Sequence, residues 1–201
     1  MGEDLFLSIR TGKAGLGDDL LYVYRAKEGR YTFVGTHLKG VQNNPYVHGM
    51  DYRDGVLHVT WVYRGFVHYD GWDDPLDTKH KQQAGPNGAE NNHNICYAYS
   101  DDGGHTWRNS NGTIIASNGG SVCPDSEGIV VFEIPKGSGL TNQEAQAVDQ
   151  EGGVHILNRD STDGELAWKH YYRSPKGMYG IFRVRTVCVP STFNAIHRVC
   201  N

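Results

Sequence analysis

Nothing in this chain of 201 residues approaches the ~18 consecutive apolar residues of a membrane-spanning helix, so no membrane partner is expected. An excess of positive charge is also missing. The 19 basic residues face 23 acidic ones, a formal net charge of −4, which removes the electrostatic case for nucleic acid or an anionic membrane. Cysteine is scarce. Cys96, Cys123, Cys188 and Cys200 show no C-x-x-C spacing, so no zinc site is expected, while disulfides and buried thiols both stay open. The start, Met1-Gly-Glu-Asp, lacks the basic beginning and apolar core of a secretory signal, and taken literally it describes a chain that is not secreted.

What the chain has in quantity is glycine (26) and tyrosine (12), the profile of aromatic strands joined by glycine turns. Three segments align: LLYVYRAKEGRY (20–31), ICYAYSDDGGHTW (95–107) and WKHYYRSPKGMY (168–179). Each is a strand ending in tyrosine (Tyr24, Tyr99, Tyr172), a turn with glycine (Gly29, Gly104, Gly177) and then an aromatic residue (Tyr31, Trp107, Tyr179). Glycine supplies the positive φ that tight hairpins need. A second strand precedes each hairpin, LFLSIR, LHVTWVYR and VHILNR, and each ends in arginine: Arg10, Arg64 and Arg159. Before two of these lie the turns Asp54-Gly55 and Glu151-Gly152-Gly153, and before the turns one further strand each, within 43–52 and 141–150.

The unit is therefore four antiparallel strands recurring about every seventy residues, the pattern of propeller blades. The fold expected is all-β: a β-propeller of four-stranded antiparallel blades, with about three blades present as a partial propeller. Blades are placed at roughly 1–40, 41–115 and 116–190, with a tail at 191–201 outside the pattern. A polar loop at 70–92, carrying Trp72, interrupts the second blade, and such long loops are commonly functional. A β-sandwich is the structural alternative, but it has no reason to repeat aligned arginines.

Ser100-Asp101-Asp102-Gly103-Gly104-His105-Thr106-Trp107 fits S-x-D-x-G-x-T-W, the Asp-box of sialidase-like propellers. Asp102 is expected at the hairpin turn, Gly104 in a conformation closed to other residues, and Trp107 packed between blades. Asp-boxes lie on the outer rim, so these residues are not expected to be catalytic. The wider sequence, NPYVHGMDYRDGVLHVTWVYR, NNHNICYAYSDDGGHTW and NQEAQAVDQEGGVHILNRD in that order, resembles the BNR-repeat family. That family includes propeller-type polysaccharide lyases acting on ulvan and on rhamnosyl-glucuronate linkages of plant gums. The resemblance covers about Leu5 to Val189 and implies a piece of a longer, seven-bladed protein that is extracellular when whole.

By this resemblance the chain is expected to act on, or bind, a polysaccharide containing uronic acid, by β-elimination in a central groove and with no cofactor. Removing the weakly acidic C5 proton requires the carboxylate to be neutralised, by arginine or a divalent metal, and a base placed beside C5. Carried over by motif, the catalytic residues are His48 in NPYVHG, His93 in NNHN and Arg159 in HILNRD. Asn92, Gln143 and Tyr172 are the expected substrate contacts. Gln143 stands where the family's tyrosine belongs and cannot move a proton; Tyr172 or Tyr171 is the candidate replacement.

His58 and His155 occupy matching repeat positions and read as structural, and His68, His80 and His105 as solvated. The repeated arginines read equally well as blade-stabilising ion pairs. Two other functions compete: a non-catalytic glycan-binding propeller, and a sialidase-type hydrolase in which Arg10, Arg64 and Arg159 converge on a carboxylate.

Overall fold

The computed structural model describes residues 4–76 and 85–184. His80, Cys188, Cys200 and the tail at 191–201 lie outside the described residues. Three antiparallel sheets follow one another along the chain. The first holds β1 (Leu5–Arg10), β2 (Asp19–Arg25) and β3 (Arg30–Leu38). The second runs β4 (Asn43–Arg53), β5 (Val56–Gly65), β6 (Asn92–Ser100), β7 (Trp107–Arg108) and β8 (Ile114–Ala116). The short β9 (Val130–Phe132) comes after position 115 but also pairs with β6, so it belongs to this second sheet. The third is β10 (Ala145–Val148), β11 (Val154–Asp160), β12 (Ala167–Arg173) and β13 (Tyr179–Arg183). Among the described residues the only helical element is a 3₁₀ turn at Ala89–Asn91.

The aligned hairpins are β2–β3, β6–β7 and β12–β13, so the first sheet has the equivalents of the last three strands of the third. Their turn glycines Gly29, Gly104 and Gly177 all take positive φ (64°, 94° and 76°). The β4–β5 turn is tighter still: Asp54 and Gly55 both lie at positive φ, 50° and 88°, as a two-residue I′ hairpin demands.

Period-two alternation along β5 builds two cores from one strand. Leu57, Val59, Trp61 and Tyr63 turn toward the first sheet and pack with Leu21, Leu38 and Trp107. Val62 turns the other way, joining Tyr46, Ile95, Val154, Ile156 and Tyr171 against the third sheet. The middle sheet is thus covered on both faces. The outer faces of the other two keep Leu5, Leu7, Tyr31 and Phe33, or Leu157, Trp168 and Phe182, exposed. That is the arrangement of a propeller arc that has not closed.

The Asp-box locks the first two sheets together. Asp102 Oδ1 accepts the Ser100 hydroxyl (2.8 Å) and the backbone N–H groups of His105 (3.1 Å) and Thr106 (2.8 Å). Ser100 Oγ in turn accepts the Gly104 N–H at 2.7 Å. A Cβ on Gly104 would sit 2.3 Å from Leu21 Cδ2, so glycine is needed there for room as well as for φ. Trp107 is completely buried. Cys96 and Cys123 are free thiols.

Candidate functional site

The strands β1, β5 and β11 finish, and β4 and β6 begin, at one common end of the sheets. Polar side chains gather there. The guanidinium carbons of Arg10 and Arg64 lie over the ring of Tyr46, at 4.4 and 4.5 Å from its centroid. Among the described residues neither arginine has a carboxylate within ion-pair distance. Arg64 is buried, and its Nε donates to Asn92 Oδ1 at 2.9 Å. Its Nη2 donates to Asn142 Oδ1, and Asn92 Nδ2 donates to the same oxygen and to the Leu140 carbonyl. Burial holds the Arg64 pKa below its ordinary value, with Arg10 adding repulsion against the pull of Tyr46 and Glu90. Two cations held together with no fixed anion form a site that an anionic ligand would relieve.

The histidines stand on either side of this group. His48 is the extra residue of a β-bulge: Val47 pairs with Trp61 and Gly49 with Thr60, leaving His48 between. A bulge re-aims a side chain, and here it points His48 at the third sheet. Gly49 lets the inner strand of that sheet come close, since a Cβ there would lie 3.0 Å from Gln146 Cβ. His48 Nε2 sits 2.9 Å from Asn158 Nδ2. Asn158 Oδ1 already accepts from the backbone and hydroxyl of Thr141. The amide therefore presents N–H to His48, and the ring proton is assigned to Nδ1, which is buried without a well-formed hydrogen bond. Burial pushes this histidine down to about 4, against a smaller upward pull from the Thr60 backbone.

His93 has the reverse assignment. It pairs with Tyr63 beside a second register shift, at Asn94 (φ 55°), and faces the first sheet. Its Nε2 is 3.0 Å from Asn43 Oδ1, while Asn43 Nδ2 donates to the Val41 carbonyl. The Asn43 oxygen must then accept from His93, leaving Nδ1 as a free acceptor. Burial first, and Lys136 second, lower its pKa from the usual imidazole value. It is accordingly neutral at pH 7, oriented by an asparagine, and equipped as a proton acceptor.

The structure thus places His93 and Asn92 at this end of the second sheet and His48 at the middle of β4, with the two histidines on opposite faces of the sheet. Gln143 follows Asn142 directly and is exposed, with no side-chain hydrogen bond to a described residue. Arg159 is separated from His48 by β11 itself. Its neighbour Asn158 takes the inward face, so alternation turns Arg159 to the outer face of the third sheet, where its Nε is buried without a partner. The three repeated arginines do not act alike: Arg10 and Arg64 meet at Tyr46, and Arg159 does not. Tyr172 shares the outer face with Arg159 but pairs with His155, whereas Arg159 pairs with Trp168. That is four positions, or ~13 Å, along the strand.

Sequence reasoning passed over Tyr46, Asn142 and Asn158, though each is within two residues of a position it singled out. At the rim, Trp72 packs edge-on to Phe66 and His68 under Lys13, whose Nζ is 5.2 Å from the indole, and is a half-exposed surface suited to a sugar ring. Asn87 anchors the base of the same loop through paired hydrogen bonds with the Val67 backbone. Among the described residues no group of three or more His, Cys, Asp or Glu is placed to hold a metal ion.

A family model described as "BNR repeat-containing family member" matches residues 1–186. No curated protein matches the chain. Among solved structures it is similar to the polysaccharide lyase Uly1, at 19% identity and a TM-score of 0.56, covering 89% of this chain and 38% of that one. It is also similar to the alpha-L-arabinanase of Penicillium chrysogenum solved with arabinobiose, at 10% identity and a TM-score of 0.51, covering 92% of this chain and 47% of that one. The chain therefore spans less than half the length of either enzyme, and at these identities the likeness is one of fold.

Proposed function

The chain belongs to the BNR repeat-containing family, and from that premise we propose that it forms the acidic-sugar subsite of a polysaccharide lyase acting on uronate-containing glycans. The single observation that carries this reading is the Arg10–Tyr46–Arg64 group, two guanidiniums without a carboxylate partner among the described residues. In this reading Arg10 and Arg64 receive the uronate carboxylate, and Asn92 and Asn142 hold Arg64 in place. His93 Nδ1 takes the C5 proton. The C4–O4 bond breaks as the C4=C5 double bond forms, and the departing oxygen takes a proton from water. His48, its Nδ1 buried and its Nε2 held by Asn158, does not touch the sugar but braces β4 against the third sheet, and exposed Gln143 is a further contact. Arg159 and Tyr172 have no part in this scheme. The whole protein is proposed to work outside the cell, where such glycans are met.

The hydrolase alternative has less support. The sialidase type needs Arg10, Arg64 and Arg159 to converge, and Arg159 lies on the outer face of the third sheet; most other glycosidases need two free carboxyl groups flanking the bond. Asp160, at the end of β11, is tied to Lys169, Tyr171 and Thr162. Asp18 is tied to the Gly40 N–H and Lys39, and Glu90 turns back on the Gly88 N–H.

Titration with an oligouronate tests the anion subsite. Arg64→Gln should weaken binding at least tenfold, in line with loss of a charge-assisted contact of ~1.5–3 kcal/mol, and leave binding of a neutral oligosaccharide unchanged. Equal affinity of native and variant chains for the oligouronate would remove the basis of the proposal.

A further inference from the structure

A second cavity, of about 410 Å³, opens between the second and third sheets at the end opposite the arginine–tyrosine group. It lies within the ~300–1,000 Å³ typical of small-molecule sites. Its wall holds Arg173, only 4% exposed, with the guanidinium carbon 4.3 Å from the centroid of Tyr97. Arg173 Nε donates to Ser110 Oγ (2.9 Å) and Nη2 to the Ser110 carbonyl (3.2 Å). Nη1 bonds to no described residue and is left to the cavity. Among the described residues no carboxylate lies within ion-pair distance of Arg173. The two acidic residues lining the cavity, Asp54 and Glu151, are exposed turn residues at its rim.

A buried cation without a counter-ion is costly unless something supplies the anion. The rest of the wall suits a sugar. Tyr97, Tyr99 and His58 form a run of near-parallel rings with centroids 6.0–6.5 Å apart. Asn111 and Gln150 bring amides to the rim. His58 Nδ1 is 2.8 Å from the Tyr97 hydroxyl, and burial, helped by Arg173, pushes its pKa down to about 4, so it brings no competing charge at neutral pH.

We propose that this cavity is a separate binding site for a carboxylate-bearing sugar of one or two rings, with Arg173 on the carboxylate and Tyr99 against the ring. It rests on the buried arginine and the cavity, not on the reading of the other end of the sheets.

Glucuronate titrated into the full chain, made in a bacterial host so that Asn111 of the Asn-Gly-Thr sequon carries no glycan, tests this by amide NMR. Saturable shifts are expected at Gly112 and Gly152, with Arg173→Gln weakening them at least tenfold and Arg64→Gln leaving them unchanged. Should Arg173→Gln not fold, Asn111→Trp, which fills the rim, is expected to abolish the same shifts. The absence of shifts at Gly112 and Gly152, or shifts confined to Thr11, Asn43 and Asn142, would overturn the proposal. So would equal shifts from glucose or inorganic sulfate, since neither combines a ring with a carboxylate.

Discussion

Asp102→Ala removes a single carboxylate from the surface of the protein, yet it should be felt through two sheets. One oxygen, Oδ1, accepts the Ser100 hydroxyl and two backbone N–H groups. Hydrogen bonds to a charged group are worth roughly 1.5–3 kcal/mol each when protected, and Asp102 is exposed, so about 2 kcal/mol in total is the expected loss. Behind the turn sit Gly104, pressed on Leu21, and the buried Trp107, so a loosened turn exposes the core shared by the first two sheets. With a urea m-value of about 2 kcal/mol per molar, the midpoint followed by tryptophan fluorescence should fall by about 1 M. Asp102→Asn, which keeps an acceptor in place, should lose about half as much.

The pH dependence is specific to the mechanism. Burial raises the Asp102 pKa, but the Thr106 backbone and hydroxyl, Ser100 and His105 outweigh it and hold the carboxyl below its ordinary value. A depressed carboxyl contributes stability that is full above the unfolded-state pKa, ~3.9, and is lost as pH falls through the folded-state value. The gap between native and variant chains should be constant from pH 7 to about 4 and shrink below that. An unchanged midpoint at pH 7, or a gap that persists undiminished at pH 2–3, would refute the reasoning.

Other outcomes follow from the same structure. Trp107→Ala, at a fully buried site, should cost about 3–5 kcal/mol by thermal or urea unfolding. His48 and His58 both sit near 4 in the folded chain, so between about 6.5 and 4 the unfolded state binds more protons than the native one. Stability should therefore fall on acidification through that window, by up to about 1.4 kcal/mol per pH unit for each histidine, and His48→Gln should remove one share of the slope. The exposed aromatic and aliphatic side chains on the two outer sheet faces should make the isolated chain associate; a sedimentation coefficient independent of concentration would count against this.

Much of the fold was legible because local chemistry dictates it. Asp54-Gly55 and the three hairpin glycines need positive φ, and no distant contact is required to see that. The Asp-box carries its own hydrogen bonds within seven residues. The site was less legible because it depends on events that leave no period in the sequence. The bulge that aims His48 is one extra residue in a strand that otherwise alternates, and the Arg64–Asn142 bond joins residues 78 positions apart. Repetition flagged Arg10, Arg64 and Arg159 as equivalents, but equivalence of position is not convergence. The twist of each sheet and the alternation at Asn158 decide that two meet over Tyr46 and the third turns away. β9 escaped notice for a similar reason: its pairing with β6 is set by the third dimension and not by a hairpin turn.

β-Elimination on an acidic glycan leaves a conjugated product that a single spectrophotometric measurement can follow. The protein is incubated with a uronate-containing polysaccharide while the absorbance of the conjugated C4=C5 uronate product is followed, beside a reducing-end assay. Both signals should rise together, and His93→Gln should lower the rate by about 10²–10⁴ while glycan binding is retained. Reducing ends released without the absorbance, or firm binding with neither signal, would contradict β-elimination.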